Sequence, residues 1–103
     1  MANETQRKNA QELAIQADPQ VAAGVYSNLM MISHRRGEFV LDFLFVQPTR
    51  GRQSATTASL RSRVVTTPEH LKRIVRALEE NIRRYESTYG PIQEATDLPR
   101  IVH

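Results

Sequence analysis

Short runs rich in apolar residues, some of them alternating with polar residues, occupy the first two thirds of the chain and predict four β-strands. The first strand covers residues 11–17, where Leu13 and Ile15 lie on the same side of an extended chain. Asp18-Pro19 follows it, and we expect one helical turn there because Asp caps helices and Pro suits their first position. The other strands are predicted over residues 25–33, 38–46 and 58–66. Their short connections indicate an antiparallel meander.

The two middle strands are apolar on both faces. The strand over residues 38–46 shows this most clearly, with Phe39, Leu41, Phe43 and Phe45 on one face and Val40, Asp42, Leu44 and Val46 on the other. A single helix covers only one face of a sheet, so a second copy of the chain is the simplest cover for the other face. The residues expected at an interface with a partner are Tyr26, Met30, Ile32, Val40, Leu44, Ile82, Tyr85 and Tyr89.

A long helix is predicted to follow the last strand. Thr67-Pro68-Glu69 combines an N-cap, a proline at the first helical position and an acid in the first turn, and Gly90-Pro91 ends the helix. Between these signals, apolar residues recur three and four positions apart at Leu71, Val75, Leu78, Ile82, Tyr85 and Tyr89. This spacing suits either a coiled-coil seam or a helix lying across a sheet. We expect the helix to pack on its own sheet, with its C-terminal half extending to a partner.

These elements predict one α+β domain over residues 11–90, in which a four-stranded antiparallel meander is followed by one long C-terminal helix and the chain forms a dimer. Residues 1–10 are polar and unpatterned, and residues 91–103 hold only isolated apolar residues, so we expect both segments to be tails. The connection at residues 47–57 lacks an apolar anchor and is predicted to be a mobile loop. The length of 103 residues agrees with a single domain.

Composition and charge narrow the class of protein. The chain has no Cys, which excludes disulfides and Cys nucleophiles, and no apolar run near the ~20 residues of a membrane span. Its first ten residues lack the apolar core of a signal peptide, so we expect a soluble, cytoplasmic protein. The net charge is +3, and residues 35–63 hold the excess of positive charge. This stretch carries Arg35, Arg36, Arg50, Arg52, Arg61 and Arg63.

The chain offers few groups that could catalyse a reaction. Its histidines are His34, His70 and His103. None of them has a second ligand at metal-binding spacing, so we expect no metal and no cofactor. Asp42 is a carboxylate within an apolar strand, and it is either a catalytic acid or the cross-strand partner of Arg61 or Arg63. We favour the ion pair, and with it a non-catalytic protein that has no small-molecule substrate.

Two binding functions remain open. In the first, the six arginines of residues 35–63 contact nucleic acid or an acidic protein surface, with Arg61 and Arg63 expected on one strand face beside an Arg-rich loop. Tyr26 is then the sheet aromatic that could stack on a base. In the second, the protein is a homo-oligomeric adaptor or a structural subunit of a larger complex without nucleic-acid contact. Its partner is held by Tyr85, Tyr89 and the tail at residues 98–102.

Several motifs between residues 12 and 92 belong to one pattern. They are Asp18-Pro19-x-Val21-Ala22-x-Gly24-Val25-Tyr26-Ser27-Asn28-Leu29, Ile32-Ser33-His34, Glu38-Phe39-Val40-Leu41-Asp42-Phe43, Arg61-x-Arg63-Val64, Thr67-Pro68-Glu69-His70-x-Lys72-Arg73 and Ala77-Leu78-x-x-Asn81-Ile82-x-x-Tyr85-Glu86. Together they resemble the small bacterial family catalogued as domain of unknown function 3467, which has no established reaction. In some bacterial lineages its genes lie next to those for the large RNA polymerase subunits. The resemblance therefore implies a transcription-associated role, with RNA polymerase or nucleic acid as the partner.

Overall fold

A computed structural model describes residues 12–47 and 57–94 and confirms the α+β class. The elements in chain order are the one-turn helix α1 (Pro19–Ala22), the strands β1 (Leu29–Arg35), β2 (Glu38–Val46) and β3 (Ala58–Thr66), and the long helix α2 (Pro68–Tyr89). The strands form one antiparallel sheet in the order β1-β2-β3. Neither helix of these two ranges has the length and apolar character needed to cross a membrane. The tail at residues 1–10, most of the loop at 47–57 and residues 95–103 lie outside the described residues, so their predicted order stays a prediction.

The strand predicted over residues 11–17 is absent from the sheet, so the prediction of four strands was wrong. Residues 12–17 have no regular secondary structure, and Leu13 and Ile15 are 86% and 88% exposed. Glu12 and Ala14 alternate with these two residues, and both are residue types that are depleted in strands because they fit a pleated, half-buried surface poorly. Alternation alone therefore did not create a strand here. Gln11 lies outside the described residues.

The turn predicted at Asp18-Pro19 is confirmed as α1. The Asp18 carboxylate accepts a hydrogen bond from the Gln20 N–H at 2.9 Å, and Pro19 is the first helical residue. Gly24 follows α1 with a φ of 78°, a left-handed conformation that favours glycine. The chain therefore changes direction between residues 18 and 24 before it enters the sheet.

β1 begins later than predicted because side chains join the residues before it to β2. The Asn28 amide accepts a hydrogen bond from the Val46 N–H at 2.8 Å and donates one to the Val46 carbonyl oxygen at 2.9 Å. The Ser27 hydroxyl donates to the Leu44 carbonyl oxygen at 2.8 Å. The Asn28 side chain thus replaces the backbone pairing that a longer strand would provide, and the regular strand begins at Leu29.

The connection between β1 and β2 is shorter than the four residues that separate the two predicted strands. β1 continues to Arg35 and β2 begins at Glu38, so only Arg36 and Gly37 connect the two strands. Gly37 has a φ of 85°, which a type II turn requires at its second central residue. Arg35 Nε donates to the Glu38 carboxylate at 2.8 Å across this turn. The turn and the ion pair together set the register of β1 against β2.

β2 and β3 have the predicted bounds, but their register contains a bulge that the sequence did not indicate. Phe43 pairs with Ser62, whereas Leu44 pairs with Leu60, so Arg61 is the extra residue on β3. A bulge interrupts the alternation of side chains along a strand. The β3 residues before the bulge, including Leu60, therefore face the side opposite to the one predicted.

α2 also has the predicted bounds, and both of its ends are capped as expected. Thr67 Oγ1 accepts a hydrogen bond from the His70 N–H at 3.2 Å. At the other end, Gly90 has a φ of 98°, and its N–H donates to the Glu86 carbonyl oxygen at 2.8 Å. The helix contacts the sheet at β2, yet no residue of α2 is fully buried.

The core of the described chain is small. Leu41 is the only buried apolar residue of the described ranges, at 7% exposure. It lies in the central strand, paired with Ile32 of β1 and Val64 of β3. A single copy therefore leaves most of its apolar side chains at least partly in contact with water.

Replacing Thr67 with alanine is expected to lower the free energy of unfolding by about 1 kcal/mol, because the His70 N–H loses its partner at the helix end. Urea denaturation followed by circular dichroism measures this loss. Thr67→Ser keeps the hydroxyl and is the matched control, which we expect to retain the stability of the parent chain. Equal losses in the two variants would contradict the capping role.

Candidate functional site

A stripe of exposed apolar residues runs along α2, and we name it the helix seam. The seam consists of Val75, Leu78, Ile82, Tyr85 and Tyr89, and their exposures range from 45% to 74%. These residues recur at heptad spacing on a single helix face. Apolar stripes of this kind normally pack against another surface. The helix seam therefore has the character of a docking surface.

Two tyrosines form the C-terminal end of the helix seam. The rings of Tyr85 and Tyr89 lie in contact, with centroids 4.8 Å apart and planes inclined by 47°. They are one helical turn apart, so the same face of α2 presents both rings. Exposed tyrosines are enriched at protein interfaces because they combine a large apolar ring with a polar hydroxyl.

A shallow groove runs beside the N-terminal half of the same helix. Its volume is about 400 Å³, and it is lined by Leu71, Lys72, Val75, Arg76 and Glu79. The lining residues recur three and four positions apart, so their spacing places them on one side of the helix. The groove itself was not predicted from the sequence.

The sheet adds exposed apolar residues on both of its faces. Met30, Ile32 and Val64 are exposed on the face that contains Leu41. On the opposite face, Leu60 and Val65 are exposed. Apolar surface therefore remains exposed on both sides of the sheet, whereas the sequence pattern predicted that the helix covers one of them.

The structure does not bring the predicted interface residues together in one patch. Met30 pairs with Phe43 and Ile32 with Leu41, so they lie on the face opposite to Val40 and Leu44. Tyr26 is exposed and precedes β1, and the remaining three predicted residues belong to the helix seam: Ile82, Tyr85 and Tyr89. The two-residue turn causes the split, because register decides which residues of two strands share a face.

The six predicted arginines also fail to form one patch in the described chain. Arg35 is paired with Glu38, and Arg63 is paired with Asp42. Arg36 lies in the turn between β1 and β2, and Arg61 lies at the bulge of β3. The remaining two, Arg50 and Arg52, lie outside the described residues.

Arg61 and Arg63 lie on opposite faces of the sheet, so the prediction that they share a face was wrong. The Arg61 guanidinium carbon is 5.3 Å from the centre of the Phe45 ring, whereas Arg63 binds Asp42. Phe45 and Asp42 are on opposite faces because side chains alternate along β2. The bulge at Arg61 is the physical cause of the change. Arg36 is also distant from Arg61, because it lies at the other end of β2, roughly 24 Å along the strand from Phe45.

An aromatic and basic cluster at one end of the sheet was not predicted as a unit. Tyr26 packs against Phe45 edge to face with ring centroids 5.9 Å apart, and Arg61 lies against the same Phe45 ring. We name Tyr26, Phe45 and Arg61 the aromatic cluster. Its assembly depends on the bulge and on the irregular entry to β1, which are features that the alternation does not encode.

The cross-strand ion pair predicted for Asp42 is confirmed, with Arg63 as its partner. Arg63 Nε donates to Asp42 Oδ1 at 2.6 Å, and Nη2 donates to Oδ2 at 3.0 Å. These two hydrogen bonds favour the charged carboxylate and lower the pKa of Asp42 below its ordinary value. The pair lies in register between the central strand and β3, so it helps to hold the sheet together.

The Asp42–Arg63 pair predicts a pH-dependent contribution to stability. Because the folded pKa of Asp42 is lowered, the contribution is full above the unfolded pKa of about 3.9 and is lost as the pH falls through the folded value. We therefore expect Asp42→Asn to be less stable than the parent chain at pH 7, and the difference to close in strong acid. Denaturant titrations between pH 2 and pH 7, each about one unit apart, measure it. Glu12→Gln, at an exposed position outside the helices and strands, is the control. A difference between Asp42→Asn and the parent chain that stays constant with pH would contradict the role of the charge.

The histidines do not converge on a metal site. His34 lies beside Phe39 on the neighbouring strand, with ring centroids 5.3 Å apart, and His70 is exposed in the first turn of α2. His103 lies outside the described residues. Over residues 12–47 and 57–94, no group of three or more His, Asp or Glu side chains could hold a metal ion.

Comparison with known proteins identifies the family of the chain. A family model described as Protein of unknown function (DUF3467) matches residues 1–94. No curated protein and no solved structure matches the chain. Since the family match covers most of the sequence, the chain belongs to the DUF3467 family of proteins of unknown function.

Proposed function

We propose that the protein is a non-catalytic protein-binding module and that the helix seam is its docking surface. The exposure of five seam residues, in a chain that buries only Leu41 within its described ranges, is the observation that carries this proposal. Exposed contiguous apolar patches mark interaction sites, because covering them releases about 25 cal/mol per Å². The tyrosine pair at one end of the seam supplies one of the residue types that are enriched among the dominant residues of such interfaces.

The proposed module works as a homodimer or larger oligomer. Exposed apolar residues on both faces of the sheet and along α2 support this, because one helix covers only one face. The family resemblance adds a proposed place in the transcription machinery, where RNA polymerase would be the larger partner. The split of the arginines between two faces and two ends of the sheet favours protein contact over a continuous phosphate-binding track.

Purification of the tagged full chain from its native cells tests this function. Ile82→Glu places a charge within the helix seam, and Ser87→Glu places the same charge on an exposed position away from the seam. We expect the parent chain and Ser87→Glu to retain the same co-purifying protein after nuclease treatment, and Ile82→Glu to lose it. Retention of that protein by Ile82→Glu would contradict docking through the seam.

The aromatic cluster supports a second candidate function, which is contact with single-stranded nucleic acid. Tyr26 is 72% exposed, and the neighbouring Arg61 offers a guanidinium plane, so the cluster could stack on a base and contact a phosphate. In a binding assay with a labelled oligonucleotide, Tyr26→Ala should then weaken binding by about tenfold, and affinity should fall steeply as salt is raised. If the oligonucleotide does not bind, or if neither Tyr26→Ala nor salt changes its affinity, the second candidate function is excluded and only the protein-binding function remains.

A further inference from the structure

The partner of the helix seam can be argued from the order of residues along α2. The helix carries a heptad pattern with Val75, Ile82 and Tyr89 at a positions and Leu71, Leu78 and Tyr85 at d positions. The two large aromatic residues occupy the C-terminal end of this pattern, and the smaller aliphatic residues occupy the rest. A second copy running in the opposite direction brings the large end of one helix to the small end of the other.

An antiparallel alignment centred near residue 80 uses every residue of the pattern. Antiparallel helices pair a positions with d positions, so Tyr89 of one copy meets Leu71 of the other, and Tyr85 meets Val75. The two remaining aliphatic residues meet at the centre. Large residues opposite small ones fill the space between helices evenly. A parallel pair would instead set each tyrosine against its own equivalent at one end of the bundle.

The groove beside α2 lies where this alignment brings the tyrosines. It has a volume of about 400 Å³ and is lined by Leu71, Lys72, Val75, Arg76 and Glu79. Its two apolar residues are the ones that the alignment places opposite the tyrosine rings, and its two bases can donate hydrogen bonds to the phenolic oxygens. The rings of one copy are already in contact at 4.8 Å, so they can enter the groove together.

The charges beside the heptad pattern favour the same orientation. Lys72, Glu79 and Glu86 occupy the e positions, which face each other across an antiparallel pair. The alignment sets Lys72 of each copy opposite Glu86 of the other, and only Glu79 meets a like charge. In a parallel pair the e positions face the g positions, which are the uncharged Ile74, Asn81 and Thr88. Only the antiparallel pair therefore gains opposite-charge contacts.

We infer that α2 pairs antiparallel with α2 of a second copy, and that Tyr85 and Tyr89 of each copy occupy the groove of the other. This inference rests on the proposed function, since it names the partner of the helix seam. Valine and isoleucine at a positions with leucine at d positions also suit a parallel dimer. The tyrosines and the charges decide the orientation.

Sedimentation equilibrium of the full chain tests the role of the tyrosines. We expect the parent chain to dimerise and the double variant Tyr85→Ser/Tyr89→Ser to have a dissociation constant at least about 100-fold higher, because two aromatic anchors per copy are lost. Ser87→Ala changes a neighbouring exposed residue and is expected to dimerise like the parent. Circular dichroism of each variant confirms that the helix is retained. A double variant that is helical and dimerises normally would overturn the inference.

Spin labels measure the orientation directly, since the chain has no Cys and each introduced Cys is unique. Arg73→Cys and Ser87→Cys both lie on exposed positions of α2 away from the helix seam. In the antiparallel dimer, label 73 of one copy lies at the same height along the axis as label 87 of the other, whereas like labels are offset by about 21 Å along the axis. We therefore expect the mixed pair to give the shorter distance. Shorter distances between like labels would show a parallel dimer and overturn the inference.

The antiparallel dimer and the protein-binding function can be overturned separately. A chain that stays monomeric at all concentrations would overturn the antiparallel dimer. If Ile82→Glu then still abolished capture of a different protein from native cells, the protein-binding function would stand with another partner. If neither self-association nor capture depended on the helix seam, both the inference and the proposed function would be overturned.

Discussion

Replacing Leu41 with alanine is expected to lower the free energy of unfolding by about 3 kcal/mol, which is typical for a leucine removed from a core. Leu41 is 7% exposed and lies in the central strand between Ile32 and Val64. Small domains have only about 5–15 kcal/mol of total stability, so this single change removes a large share of it. Urea denaturation followed by circular dichroism measures the loss.

Val64→Ala is the matched control for the core prediction. Val64 pairs with Leu41 in register and lies on the same face, but it is exposed. Its replacement is expected to cost about 1 kcal/mol or less, because the lost methyl groups are already partly in water. Equal losses in the two variants would show that Leu41 is not the centre of the core.

Replacing Ile82 with glutamate is expected to weaken self-association by at least about 100-fold while leaving α2 helical. Ile82 lies in the middle of the helix seam and is 47% exposed, so a single copy accommodates the carboxylate in water. In an assembled pair the same carboxylate would be withdrawn from water without a partner, which is strongly unfavourable. Sedimentation equilibrium gives the dissociation constant, and circular dichroism gives the helix content.

Ser87→Glu is the control that shows whether the position of the new charge, and not the added charge alone, weakens self-association. Ser87 is exposed on α2 and lies away from the helix seam, and the change adds the same single negative charge. We expect this variant to self-associate like the parent chain. Equal dissociation constants for the Ile82 and Ser87 variants would mean that the seam is not the contact surface.

Elements with their own start and stop signals could be predicted from the sequence. α2 begins directly after Thr67 and ends before Gly90, because each of these residues acts on backbone atoms one turn away. The bounds of β2 followed from a run of mostly apolar residues that begins after a glycine and ends before Gln47-Pro48. Such signals are local, so an isolated sequence contains them.

Elements that depend on distant partners could not be predicted. Residues 12–17 alternate like a strand, yet nothing in their sequence states whether a neighbouring strand pairs with them. β1 begins at Leu29 because Asn28 and Ser27 bond to the end of β2, which is far away in sequence. The pattern identified the strand but not the contacts that set its start.

The residues of the candidate site also divide into those placed by local spacing, which could be predicted, and those placed by contacts between strands, which could not. Heptad spacing identified the C-terminal part of the helix seam, since residues three and four apart always share a helix face. The placement of the arginines depended instead on the bulge at Arg61 and the short turn at Arg36-Gly37. A shift of one residue in a strand moves its side chains to the other face. The shared basic face that the alternation predicted was therefore lost.

The central claim is that one copy of this chain is incomplete and is stabilised by covering its helix seam. Thermal unfolding at protein concentrations from about 1 µM to about 100 µM, with the mass of each sample determined by light scattering, tests it most directly. We expect a melting temperature that rises with protein concentration, and a mass above that of a single chain at the highest concentration. A cooperative transition at a constant temperature, with the mass of one chain throughout, would contradict it.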